Sequence, residues 1–235
     1  MDIASEQTGT GHRCGAMKVG REMAPTVKPK VSDRLLLRMS VNRKIDGLWV
    51  GTVESGPILC RVEESLQLIK IHDRRRYDRL LRDLDRVWVR LLPGDVACFN
   101  AALWACELDT RFVLQQSPEF IAAAIVHEAT HARLWRSGVT YDESSRHRIE
   151  TICARQELAF AAKLPNGEKV REWAEAALSQ PPALTDMAFG ERFQTGSIEA
   201  LGYRRVPQWL VRTLLAVQAL RLGITRAFRN HIRRR

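Results

Sequence analysis

Cysteine is scarce and scattered in this chain of 235 residues. The five cysteines include no Cys-x-x-Cys pair; they are Cys14, Cys60, Cys98, Cys106 and Cys153. An odd number at irregular spacing indicates neither a disulfide framework nor a cysteine-based zinc site. We therefore expect the chain to work in a reducing compartment.

Long apolar runs are also missing. No stretch reaches the roughly 18 uninterrupted apolar residues of a membrane span. Residues 1–30 lack the apolar core of a signal peptide, about 7–15 residues long. Because they are rich in Gly, Thr, Ser and Lys, we predict a disordered N-terminal arm over 1–30. Together these absences predict a cytoplasmic protein.

Acidic residues are outnumbered, with 27 Asp and Glu against 37 Lys and Arg and a formal net charge of +10. Such an excess favours an anionic membrane surface or a nucleic acid as partner, and it is also common as a solubility feature. No nucleic-acid-binding motif is present, so a nucleic-acid partner is the less expected of these. The hydrophobic content of 45% is ordinary for a globular protein.

Residues 181–235 are predicted to form a basic extension of the domain. Thr185 to Arg205 is expected to be irregular, and no acid occurs after Glu199. A basic amphipathic helix is predicted from Trp209 to His231. This helix either lies on an anionic membrane surface, docks on a partner protein, or covers its own domain. If the helix lies on a membrane surface, the cytoplasmic protein would be peripheral to that membrane.

Residues 31–180 are predicted to form one α+β domain, mostly helical, with a small sheet before the central helix. Helices are predicted at Arg34–Met39, from Pro57 through Ile69, at Arg74–Asp85, at Ser144–Leu164 and at Glu168–Leu178. Strands are predicted at Leu48–Val53, Val87–Leu91, Val96–Trp104 and Thr110–Leu114.

The central helix carries the pattern His127-Glu128-Ala129-Thr130-His131. Residues four apart on a helix share one face, so the two imidazoles can bind one metal ion. In this H-E-x-x-H motif the histidines hold zinc and the glutamate is the general base. Ser117 and Pro118 are suited to begin the helix, and Gly138 to end it.

A metal-free interpretation of the same residues is open. The histidines could be hydrogen-bonded core residues, with Glu128 paired to an arginine. Three polar groups on one face of a buried helix are costly without a shared role, so we favour the metal.

Glu150 is the predicted third ligand. If the next helix folds back in an antiparallel hairpin, His131 and Glu150 each lie about 9 Å from the turn at 1.5 Å per residue. The eighteen residues from Ala132 to Ile149 separate them. Glu150 can then reach the same metal ion.

With His127, His131 and Glu150, the chain resembles the gluzincin group of zinc metallopeptidases over roughly residues 109–165. The resemblance implies a zincin-like fold, one catalytic Zn²⁺ and hydrolysis of a peptide bond. The chain departs from better-known members because Ala154 replaces an acid and no Gly-x-Met-Glu-Asn signature is present. The metzincin pattern is excluded by Leu134 and Ser137, which stand where Gly and His are required.

Other residues near the motif have open roles. His147 is a ligand, a donor to the oxyanion or a surface histidine. Tyr141 is an oxyanion donor or a packing residue. Glu157 either orients a ligating imidazole or pairs with an arginine such as Arg155. Cys153 faces the same way as Glu150, and burial in the helix core is its expected role.

Two functions follow from these expectations. The first is a zinc-dependent hydrolase, most simply a peptidase acting on a peptide or protein substrate, with Glu128 as general base and Tyr141 and His147 as candidate catalytic donors. The alternative is a non-enzymatic, zinc-stabilised module that binds nucleic acid or an anionic membrane through its arginines. Only the first requires Glu128.

Overall fold

The computed structural model describes residues 27–203, which form an α+β fold with a five-stranded sheet. The strands are β1 Val41–Ile45, β2 Leu48–Thr52, β3 Arg86–Arg90, β4 Ala97–Asn100 and β5 Ala105–Asp109. The helices are α1 Val31–Met39, α2 Ile58–His72, α3 Arg74–Asp83, α4 Thr110–Gln115, α5 Pro118–Arg136, α6 Arg146–Ala161, α7 Glu168–Ser179 and α8 Asp186–Tyr203.

The sheet is mixed, with strand order β1-β2-β3-β5-β4. Its three central strands, β2, β3 and β5, run parallel, while β1 and β4 pair antiparallel at the two edges. β1 and β2 form a hairpin through Asp46 and Gly47, whose φ angles are 48° and 96°. An Asp-Gly pair suits a two-residue turn that needs positive φ at both positions.

One face of the sheet packs against α2 and α5 to form the main core. Its members are apolar side chains at alternating positions of the central strands and on the inner faces of the two helices, including Val50, Val87, Val89, Cys106, Leu108, Val62, Leu66, Ile69, Ile121 and Ile125. Because α5 is covered on several sides by the sheet, α2 and α6, its apolar residues from Ile121 to Val126 are almost all buried. The sheet therefore fixes the position of the H-E-x-x-H helix.

The region just before α5 differs from the prediction. Thr110–Leu114 was expected to be a strand, but these residues lie in α4, and the strand is the preceding segment, β5. Asp109 ends β5 and caps α4, because its carboxylate accepts hydrogen bonds from the backbone N–H groups of Arg111 and Phe112. The predicted strand Val96–Trp104 is also shorter, since only β4 within it is extended.

The segment after α7 also differs. Thr185 to Arg205 was expected to be irregular, but α8 spans Asp186–Tyr203, the last described residues. The predicted basic helix Trp209–His231 and nearly all of the predicted arm over 1–30 lie outside the described residues. Within 27–203, no helix is both long enough and apolar enough to cross a membrane.

Candidate metal centre

The H-E-x-x-H motif lies in the second half of α5. The helix begins after Ser117 with Pro118 in its first turn and ends before Gly138, whose φ is 82°. The Ser117 side chain makes no capping hydrogen bond, so proline and the first-turn acid Glu119 are the local signals that act here. Because most of α5 is buried, the helix holds the motif against the core.

The structure brings His127, His131 and Glu150 together. The Glu150 carboxylate lies between the two imidazoles, with Oε2 3.1 Å from Nε2 of His127 and Oε1 3.4 Å from Nε2 of His131. The two rings are 5.0 Å apart between centroids. The helices α5 and α6 pack side by side, as the predicted hairpin requires.

Glu157 contacts His127 from another side. Its Oε2 lies 3.3 Å from Nδ1 of His127, so each ring nitrogen of this histidine has a carboxylate partner. Sequence reasoning left open whether Glu157 faces an imidazole or pairs with Arg155, and the structure places it on the imidazole. An acceptor at the second ring nitrogen fixes the tautomer and orientation that a metal-binding histidine needs.

The pKa values of the two histidines shift in opposite directions. Burial lowers the pKa of His127, but its hydrogen bonds to Glu150 and Glu157 outweigh that effect and raise the pKa to about 10. Burial and the charge on His127 lower the pKa of His131 to about 4. Burial would raise the pKa of Glu150, yet the hydrogen bond from His127 and the histidine charges lower it to about 2. The carboxylates of Glu150 and Glu157 thus place negative charge beside both ring nitrogens of His127.

Glu128 is buried beside this group, with 6% of its surface exposed. Burial raises the pKa of its carboxyl to about 8, and the charges of Glu150, Asp95 and Glu157 add to the shift while His127 opposes it. Its side chain lines the same cavity as the two histidines. A carboxyl in such a position can accept and release a proton near neutral pH.

Tyr141 and His147 both line this cavity, in different ways. The Tyr141 hydroxyl donates a hydrogen bond of 2.6 Å to Oε1 of Glu150, and its ring packs edge-on against His131 at 5.4 Å. His147 is exposed at the start of α6, outside the group of His127, His131 and Cys153 whose donor atoms converge. The structure therefore connects Tyr141 directly to the group and leaves His147 at its margin.

Cys153 is fully buried on α6, one turn after Glu150. One donor atom from each of Cys153, His127 and His131 lies within 4.8 Å of the other two. Burial raises the pKa of the Cys153 thiol. Sequence reasoning expected the burial but not the convergence of this sulfur with the histidines.

The donor set fits a metal ion. Two imidazole nitrogens and a carboxylate form the ligand set of many catalytic zinc sites, and a thiol is a further zinc donor. In the described structure the His127 ring hydrogen-bonds to the carboxylates of Glu150 and Glu157. These bonds explain how polar side chains are accommodated at the end of a buried helix.

The group opens onto a cavity of about 780 Å³. Much of its wall is aromatic, contributed by Phe99, Phe112, Phe120, Trp135, Trp173 and Phe189. β4 forms part of the wall through Ala97 and Cys98. A largely apolar cavity with a few converging polar groups is typical of a substrate site.

Part of the wall comes from residues that sequence reasoning did not assign to the site. Phe189 and Arg192 of α8 line the cavity, as does Leu184 in the preceding segment. Arg146 holds this segment in place, because its guanidinium donates to the Leu184 carbonyl at 3.0 Å and pairs with Asp186 at 2.7 Å. No local motif in the sequence marks these residues, since their role depends on how α8 packs.

Asp109, at the end of β5, lies outside the group. Its carboxylate accepts from the backbone N–H of Leu92 at 2.8 Å and pairs with Arg111 at 2.9 Å. Its role is to cap the N-terminus of α4.

Comparisons of the chain with models of protein families, with curated proteins and with solved structures found no match.

Proposed function

We propose that this chain is a zinc-dependent hydrolase of gluzincin type with a zincin-like fold, and that it cleaves peptide bonds. The observation that carries the proposal is the position of Glu150, whose carboxylate contacts both imidazoles of the H-E-x-x-H helix within 3.4 Å. Glu128 lines the same cavity, which is the arrangement that metal-assisted hydrolysis requires.

His127, His131 and Glu150 would hold the zinc ion. When bound by such ligands, zinc polarises a carbonyl group and lowers the pKa of water enough to supply a nucleophile at neutral pH. Glu157 would keep the His127 ring in place through Nδ1, which leaves Nε2 directed toward Glu150.

Glu128 is the proposed general base. Its side chain is buried, and the residue lines the cavity together with the two histidines, so a water molecule and a substrate carbonyl can both come within its reach. The carboxylate would accept the proton of the attacking water and then pass it to the nitrogen of the leaving amine. One residue thus acts first as a base and then as an acid.

Tyr141 and His147 are the proposed donors to the oxyanion. Both line the cavity, and the Tyr141 hydroxyl lies within hydrogen-bonding distance of Glu150. A preorganised O–H or N–H directed at the developing negative charge stabilises the transition state. Of the two, Tyr141 has the closer connection to the proposed ligands.

A peptide substrate is favoured because β4 is an edge strand that lines the cavity. In the strand order, β4 is last and pairs with β5 alone among the described strands. An extended peptide can add to a free sheet edge through main-chain hydrogen bonds. The aromatic wall then offers space for apolar side chains on either side of the scissile bond.

The test compares wild type with Glu128→Gln, using a random peptide library read by mass spectrometry. Glu168→Gln, an exposed change on α7, is the matched control. We expect both variants to bind one zinc per chain and only Glu128→Gln to lose cleavage, by about 10²–10⁴-fold. Cleavage by Glu128→Gln at the wild-type rate would remove Glu128 from the mechanism. A wild-type protein that binds zinc but cleaves no peptide would refute the proposed peptidase.

A further inference from the structure

Cys153 adds a sulfur atom to the polar group at the end of α5. Its donor atom and those of His127 and His131 all lie within 4.8 Å of one another. Cys153 is fully buried, whereas Glu150 on the preceding turn of α6 keeps 26% of its side chain exposed. The sulfur and the carboxylate therefore reach the imidazoles from neighbouring turns of one helix, the sulfur from inside the protein.

We propose that Cys153 is a further ligand of the metal ion held by His127, His131 and Glu150. This inference rests on the metal site of the proposed function. It adds a donor that the H-E-x-x-H pattern and its third carboxylate ligand do not include. When the metal binds, the sulfur–metal bond replaces the S–H bond, and the thiol proton leaves to solvent.

The position of the sulfur carries the argument. Zinc–sulfur and zinc–nitrogen bonds are about 2.3 Å and 2.0–2.1 Å long, so donor atoms of one site lie a few ångströms apart. Separations of up to 4.8 Å among the donor atoms of His127, His131 and Cys153 require only small side-chain movements to reach that arrangement. Glu150 is outside this group, because it contacts the two imidazoles through different oxygens, and it would have to turn one oxygen toward the same point. Cys106, which is equally buried in β5, is not part of this cluster, so burial alone does not distinguish Cys153.

A thiolate ligand changes which metal the site selects. Sulfur donors favour zinc and other soft or borderline ions over Mg²⁺, Ca²⁺ and Mn²⁺, which prefer oxygen. Because zinc sites can expand from four to five ligands, a thiolate and a water molecule can share the ion. The site would therefore bind zinc selectively and still permit hydrolysis.

The direct test is X-ray absorption at the zinc edge on the wild-type protein loaded with one equivalent of Zn²⁺. We expect one sulfur neighbour at about 2.3 Å in addition to nitrogen and oxygen neighbours. A zinc shell made only of nitrogen and oxygen would overturn the proposal. This measurement needs no variant, so it stands even if a Cys153 substitution prevents folding.

Cobalt provides the second arm of the experiment. Wild-type protein with Co²⁺ should show the near-ultraviolet thiolate-to-cobalt charge-transfer band, Cys153→Ala should lose it, and Cys106→Ala should keep it. Zinc affinity should fall at least about tenfold in Cys153→Ala, the lower end of the loss caused by removing an indirect supporting residue. A band that persists in Cys153→Ala would contradict the assignment.

The two proposals fail in different ways. A sulfur neighbour at the zinc without any peptide cleavage would leave this inference standing and refute the peptidase. Cleavage that requires Glu128, at a zinc without sulfur, would support the peptidase and refute the role of Cys153. No zinc binding at all would refute both.

Discussion

Oε2 of Glu157 lies 3.3 Å from Nδ1 of His127, two turns along α6 from the carboxylate that contacts Nε2 of the same ring. Glu157 is largely buried, so the contact is shielded from water. Glu150 and Glu157, both on α6, therefore contact the two nitrogens of one imidazole ring.

Replacing Glu157 tests whether its contact with Nδ1 orients the His127 ring. We expect Glu157→Ala to lower zinc affinity by about 10–100-fold, because the His127 ring loses the partner that orients it. Glu157→Gln should recover part of the loss, since its amide oxygen still accepts from Nδ1–H. Competition titration with a zinc-sensitive dye measures both values. Equal losses in the two variants would indicate a charge effect rather than a positioning role.

Tyr141→Phe tests the proposed oxyanion donor. The ring would still pack against His131, and only the hydroxyl that donates to Glu150 would be removed. We expect kcat to fall by about 10²–10³-fold with KM little changed and zinc stoichiometry retained. Steady-state kinetics on one cleaved peptide provides the measurement. A kcat within twofold of wild type would show that Tyr141 is not the oxyanion donor and only packs against His131 and hydrogen-bonds to Glu150.

The ion cluster at Asp73 predicts an acid-dependent loss of stability away from the site. Burial raises the pKa of Asp73, but Lys163 and Arg76 outweigh that effect and hold it below the ordinary value. Lys163 Nζ lies 2.8 Å from the carboxylate, and the backbone N–H of Arg76 donates to it at 3.1 Å. Because the pKa of Asp73 is lower in the folded protein, its charged carboxylate stabilises the fold. This stabilisation is complete above the unfolded pKa of about 3.9 and is lost as pH falls through the folded pKa.

Asp73→Asn keeps the helix cap of α3 and removes the charge. We expect its free energy of unfolding to be about 1–2 kcal/mol below wild type at pH 7. The difference should shrink as pH falls below about 4 and through the folded pKa of Asp73, where the wild-type carboxyl also becomes protonated. Urea unfolding of both proteins across this range measures it. A difference independent of pH would contradict the assigned ion cluster.

Gly196 allows α8 to approach the loop between β3 and β4. A Cβ at this position would lie 1.9 Å from the backbone nitrogen of Gly94, which cannot move away easily. We expect Gly196→Ala to destabilise the fold by about 1–3 kcal/mol or to displace α8 from the loop.

Gly190, on the same helix, is the matched control because a Cβ there meets nothing within 4 Å. Gly190→Ala should be neutral or stabilising by up to about 1 kcal/mol, as usual for glycine in a helix. Chemical unfolding of the two variants compares them. Equal effects would mean that α8 does not contact the loop closely.

Much of the candidate site could be predicted because helical spacing is a local property. The proline at 118 and the glycine at 138 delimit α5, and the four-residue spacing places both histidines on one face. The contact of Glu150 with the imidazoles followed from one assumption, that two consecutive helices fold back on each other. The convergence of Cys153 with the histidines could not be separated from ordinary burial, because sequence alone does not give distances between side chains.

Errors in the predicted fold arose where local signals conflict. Phe112 and Val113 favour a strand by composition. The Asp109 carboxylate instead caps a helix at this point, and the segment is helical. The sequence did not predict β1 because the three central residues of this strand, Asn42 to Lys44, are polar and exposed, although the Asp46-Gly47 pair that closes the hairpin was visible. Three glycines in α8 conceal a helix whose position depends on tertiary contacts.

The most direct test of the metal site is the zinc content of protein purified without a polyhistidine tag. Elemental analysis should find one zinc per chain in wild type and in His72→Ala, a change at the end of α2 outside the site, and far less than one in His131→Ala. Wild-type protein that neither retains nor takes up stoichiometric zinc, or His131→Ala that binds it as tightly as wild type, would contradict the assignment of this group as a metal centre.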